Sequence, residues 1–114
     1  MLGDIMFSII YITAGDMEEA KKIGRALVEE RLAACVNIFP ITSIFRWKGN
    51  IDEAQEFGII AKTKSEKVKE IEKRVKEIHS YEAPCVVSFR MDEGSADFLK
   101  WIKESVEEQH ENRV

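Results

Sequence analysis

The chain has 114 residues, of which 45% are hydrophobic and 33% charged, with only two prolines. That suits a single folded domain over residues 1–114 and leaves no room for two. A formal charge of -4 excludes a protein whose main work is gripping phosphate backbones, which needs a basic stripe, so nucleic acid is not an expected partner.

The first run, IMFSIIYIT, is apolar and rich in β-branched residues, and Gly15-Asp16 punctuates it. Residues 5–13 therefore read as a strand covered on both faces. The run falls far short of the ~20 residues of a membrane span, so no membrane partner is expected. Asp4 precedes it, no basic residue does and no cleavage-type site follows, which favours a cytoplasmic location. Asp16 and Glu19 have capping-box spacing, and Ala20, Ile23, Leu27 and Val28 then recur at helical intervals up to about Arg31, giving a first helix.

Residues 30–51, ERLAACVNIFPITSIFRWKGNI, hold too many large apolar side chains for a loop, yet Pro40 in their middle cannot donate to a central ladder. The apolar parity runs through Val36 and Ile38 before the proline but through Ile41, Phe45 and Trp47 after it. Either a bulge near Pro40 shifts the register by one, or the strand has two faces with different cover. Gly49-Asn50 offers a turn, and residues 53–63 return as the second strand of a long hairpin.

In SEKVKEIEKRVKEIHS the residues Val68, Ile71, Val75 and Ile78 form one stripe, while Glu70/Arg74 and Glu72/Lys76 have i,i+4 spacing on the outside. This is a second helix, with Ser65 as the expected N-cap. A break over residues 80–84 leads to a third apolar run, CVVSFRM. Ser95 is placed to cap a last helix bearing Phe98, Leu99, Trp101, Ile102 and Val106, and residues 107–114 read as a charged tail that frays. The order β, α, long hairpin, α, β, α predicts an α+β fold: a ferredoxin-like split βαβ sandwich, with an antiparallel sheet, a long β-hairpin and a C-terminal helix.

Two helices cover one side of such a sheet, and the hairpin would overhang it. Phe39, Ile41, Ile44, Phe45 and Trp47 then stand as an exposed apolar patch, which predicts a homo-oligomer. Burial of ~100 Å² from each, at ~25 cal/mol per Å², supplies on the order of 12 kcal/mol before association costs.

Among polar residues, His79 is the metal candidate, because a neutral imidazole is a common ligand for copper and zinc; the competing reading places it at the C-terminus of the second helix as a cation facing the dipole. Cys35 and Cys85 read as small buried hydrophobes rather than as a disulfide or a soft donor pair. His110 is assigned no role. Lys62 shares a strand face with Ile60 and Gly58 and so needs a counter-charge, from Glu56 or from an anionic ligand. Should a neighbour's Trp47 approach Lys62 and Tyr81, a cleft with aromatic walls and one charge results. No nucleophile triad, HExxH, CxxC or phosphate-binding glycine loop is present, which argues against an enzyme. The dense Glu/Lys pairing and few Asn and Gln fit a thermostable protein.

Taken in order, ERLAACVNI with Pro40, SIFRWKGNI, EFGIIAKT, HSYEAP and FLKWI resemble the CutA divalent-cation tolerance family over nearly the whole chain. The resemblance implies a cytoplasmic homotrimer of ferredoxin-like subunits, PII-like in architecture, with sheets extended between neighbours by the hairpin. It also implies a link to tolerance of copper or another divalent cation through weak metal binding. The chain departs from the family pattern at His79-Ser80-Tyr81, where His-Pro-Tyr is common, at Phe45, where Tyr is frequent, and at Ile12, where some members carry a Cys proposed as a copper ligand.

Overall fold

A computed structural model describes residues 2–107 of the chain. The tail beyond it, His110 included, lies outside the described residues. Four strands form one antiparallel sheet: β1 (Phe7–Ala14), β2 (Cys35–Trp47), β3 (Asn50–Lys64) and β4 (Val86–Arg90), in the order β2-β3-β1-β4. Three helices, α1 (Met17–Glu29), α2 (Val68–Ile78) and α3 (Ala96–Val106), complete the ferredoxin-like α+β fold expected from the sequence.

Alternation along the strands decides where each side chain goes. Ile10, Ile12, Ala14, Ile59 and Ala61 project toward α1 and α2 and pack with Ala20, Ile23, Leu27, Ile71 and Val75 in the main core. Gly24 lets α1 approach closely, since a Cβ there would meet Val36 Cγ2 at 2.7 Å. The opposite parity in β1 begins with Phe7, which α3 covers through Ile102 and Val106 in a second, smaller cluster. Farther along the same face Ile9, Tyr11 and Thr13 are only half-buried, and the neighbouring Val87 and Phe89 are exposed. The first strand is thus fully covered on one face, not on both.

The hairpin extends well past β1. Pairing of β1 with β3 ends at Ala14↔Phe57, whereas the β2-β3 ladder continues for seven more rungs, from Ile41↔Glu56 to Trp47↔Asn50. At ~3.4 Å per residue that is an unsupported arm of about 24 Å. No bulge interrupts it: the pairing is continuous through Pro40↔Phe57. The proline is accommodated because β2 is an edge strand, where its missing N–H needs no ladder partner. The parity change is therefore the alternative of two faces, and Ile44 points away from Phe39, Ile41, Phe45 and Trp47.

Several local expectations are corrected. The two turn residues are Lys48 and Gly49, both left-handed at φ 51° and 83°, which matches the strand twist better than a turn on Gly49-Asn50. Ser65 opens a 3-10 turn (Ser65–Lys67) and bonds Ser8 Oγ at 2.6 Å, so its hydroxyl does not cap α2. Arg74 reaches across to Glu30 in a forked pair at 2.9 Å and to Glu77, in preference to Glu70. Asp16 and Ser95 do cap their helices, accepting from the N–H groups of Glu19 and Phe98.

Candidate functional site

The polar residues converge where β1 ends, α1 begins and α2 gives way to the turn at residues 79–84. His79 is the C-cap of α2, its N–H bonded to Val75 O, and its side chain is fully buried. Nε2 lies 2.7 Å from the Thr13 carbonyl oxygen, and the Tyr81 N–H donates to Nδ1 at 3.0 Å. A carbonyl accepts only, so Nε2 carries the proton, and Nδ1 spends its lone pair on Tyr81. A neutral ring makes both contacts. Metal ligation by His79 would require one of them to break. Ile12, at the position of the family's occasional Cys, is wholly buried and supplies no donor.

Glu19, read from the sequence only as a helix-start residue, is the hub of this junction. Its carboxylate accepts from Ser80 N at 2.7 Å, Ser80 Oγ at 3.0 Å and Gly15 N at 3.3 Å, and one oxygen stands 3.6 Å from His79 Nδ1. Burial pushes this carboxyl up, but the donors of Ser80 and Gly15 outweigh it and hold the group below the ordinary value. The signal was present in the spacing of Asp16 and Glu19, but the sequence does not say that residue 80 folds back over it.

Tyr81 donates its hydroxyl to Glu56 at 2.5 Å. Its phenol is pushed up to about 12, by burial first and by the Glu56 hydrogen bond and charge next. Cys85 is exposed rather than buried, its thiol pushed up by burial of part of the group and by the Glu56 charge. Cys35 is half-buried on β2, and both cysteines are free. They sit at opposite edges of the sheet.

Of the four residues expected in a ligand cleft, Glu56 and Tyr81 meet within one chain. Lys62 lies six residues along β3 from Glu56, about 20 Å away, and Trp47 is at the hairpin tip in the other direction. Lys62 donates to the Asn37 side-chain oxygen and has no carboxylate partner among the described residues. Its one contact is neutral. Lys48 stands 5.6 Å over the Trp47 ring. Of the expected interface residues, Ile44 is 68%, Trp47 59% and Phe45 40% exposed, while Ile41 and Phe39 are half-buried. Phe39 lies across Gly58, where a Cβ would come within 2.7 Å of its ring. Among the described residues no group of three or more His, Cys, Asp or Glu is arranged to hold a metal, and no helix is long and apolar enough to cross a membrane.

Comparison with known proteins covers nearly the whole chain. Residues 8–105 match the family model described as CutA1 divalent ion tolerance protein. The divalent-cation tolerance protein CutA of Archaeoglobus fulgidus is 51% identical over 102 residues, spanning 90% of this chain and 100% of that one. The protein of the same name from Thermus thermophilus is 43% identical over 101 residues, 88% and 98% of the two chains. A solved structure of the Archaeoglobus protein, described there as periplasmic, has a TM-score of 0.88 over the same shares. The CutA1 structure from Oryza sativa has a TM-score of 0.89 at 31% identity, covering 92% of this chain and 97% of its own.

Proposed function

Since this chain belongs to the CutA1 divalent ion tolerance family, a family described by ion tolerance rather than by a catalysed reaction, we propose that it acts as a cytoplasmic homotrimer that takes up copper or another divalent cation weakly at contacts between its copies. The observation that carries this reading is the apolar surface the subunit leaves uncovered. Phe45, Trp47, Phe89, Phe98 and Trp101 are each 40–60% exposed, and Ile44, Ile51 and Val87 are exposed as well. At 150–250 Å² per aromatic side chain, the five rings alone offer on the order of 500 Å². The aliphatic residues bring this close to the ~800 Å² that a standard interface takes from each partner. Exposed apolar surface of that total extent, spread over both faces of the arm and the open face of the sheet, calls for protein neighbours.

Several copies are also what a metal would need here. One subunit offers no preformed set of ligands among its described residues, and His79 is committed to Thr13 and Tyr81. The remaining donors near the arm, the Glu56 carboxylate and the Cys85 thiol, need neighbours to complete a coordination shell. Calorimetric titration with Cu(II) tests this. Binding in the wild type that survives His79→Gln but weakens in Glu56→Gln supports the reading; no heat at millimolar copper contradicts it. Fractionation of the source cells tests the location, for which the Archaeoglobus protein is described as periplasmic.

One observation favours a second reading. Lys62 carries an ammonium on the half-covered sheet face with only Asn37 as partner, so an anionic ligand in an intersubunit cleft where Lys62 of one copy meets Trp47, Glu56 and Tyr81 of another would supply the missing charge, as in a PII-like signalling module. Thermal-shift screening of small carboxylates and nucleotides against wild type and Lys62→Met separates the two. A shift that Lys62→Met abolishes supports the anion site.

A further inference from the structure

The arm and the polar junction meet at one residue. β1 supports β3 as far as Phe57, so Glu56 is the first residue of β3 with no third strand beside it, and Glu56 is the residue that Tyr81 holds. We infer that Tyr81 is a positioning residue for the hairpin: by gripping the root of the arm it fixes the angle at which the overhang leaves the sheet.

The grip is anchored at the fixed end of the lever. The Tyr81 N–H is bound to His79 Nδ1, its ring lies against the His79 ring with centroids 4.7 Å apart, and His79 is tied to the end of β1 through Thr13. Ser80 is bound to Glu19 at the start of α1. The phenol then passes over Gly15, where a Cβ would stand 3.2 Å from its oxygen, so the absence of a side chain there opens the path to Glu56. Without this contact the arm is a bare two-stranded ribbon, and such ribbons twist strongly and are only marginally stable alone. A swing of about 10° at the root would displace the tip of a ~24 Å arm by about 4 Å, enough to misplace Trp47 in any docking partner.

The purpose assigned to the clamp rests on the self-association proposed above; its test does not. Hydrogen exchange resolved by residue is measured on wild type, Tyr81→Phe and Glu56→Gln, with the mass in solution of each sample. Tyr81→Phe keeps the ring on His79 but removes the hydroxyl, and should speed exchange of the arm amides, residues 41–47 and 50–56, by about two- to tenfold while leaving β1 unchanged. Glu56→Gln retains an accepting oxygen and should fall between the two. Arm exchange equal to wild type in both variants, or acceleration equal in β1 and the arm, would overturn the clamp. A monomeric wild type would instead overturn self-association, with the exchange comparison still deciding whether Tyr81 holds the arm.

Discussion

His79→Ala distinguishes a structural histidine from a ligand. Deletion of the ring leaves the Thr13 carbonyl, partly shielded from water, without its donor, which costs ~1–3 kcal/mol. The Tyr81 N–H loses its acceptor at a more open position, for ~0.5–1.5 kcal/mol. The ring contact with Tyr81 adds ~0.5–1.5 kcal/mol, so the total loss is roughly 2–6 kcal/mol. The assay is guanidinium unfolding at a fixed protomer concentration, because association adds to the apparent stability of an oligomer. His79→Gln should recover part of the loss, since its amide has both a donor and an acceptor. A loss below ~1 kcal/mol in His79→Ala, with His79→Gln no better, would refute the reasoning and return His79 to the pool of free ligands.

Gly24→Ala forces a methyl group to within 2.7 Å of Val36 Cγ2; overpacking of ~1–3 kcal/mol should exceed the ~1 kcal/mol gained in helix propensity, and the unfolding midpoint should fall. The Glu19 carboxyl is held below its ordinary 4.5 in the folded chain, so its contribution is complete above that value and is lost as the pH falls through it toward the folded pKa. Acid unfolding should accordingly be less steep in Glu19→Gln, which a pH series of midpoints reads out. The Tyr81 phenol is raised from 10.0 to about 12, so the stability from its neutral form is present below pH 10 and declines between 10 and 12. Ultraviolet titration should show a late tyrosinate step that Tyr81→Phe removes.

Much of the fold was legible because helix and strand periods differ and the caps are chemically explicit. Val68, Ile71, Val75 and Ile78 marked α2 from a single stripe, and Asp16 and Ser95 marked helix starts that the hydrogen bonds bear out. The sequence was weaker wherever partners come from afar. Arg74 is paired with Glu70 by its i,i+4 spacing, whereas the carboxylate it grips best, Glu30, is 44 positions away. Ser65 had the composition of a cap but found Ser8, 57 positions away. The register at Pro40 was ambiguous because a bulge and a two-faced strand give the same apolar string, and the edge position that permits an unbulged proline is a tertiary fact.

The site divides in the same way. His79 and Tyr81 stand out as residue types, but which ring nitrogen carries the proton is set by Thr13, a carbonyl that no motif records. Lys62 was correctly placed on the Ile60 face by alternation, while its partner Asn37 comes from the cross-strand register. Glu56, one of the counter-charges weighed for Lys62, bonds Tyr81 within the chain, and six strand residues separate it from Lys62 of the same copy.

The central claim is that the apolar arm and the half-covered sheet face are completed by further copies of the chain. Sedimentation equilibrium at low micromolar concentration addresses it most directly. The expected result is a species of three chain masses that persists on dilution and dissociates when Phe45 and Trp47 are both changed to Ser. A well-folded wild type that sediments as one chain would contradict it.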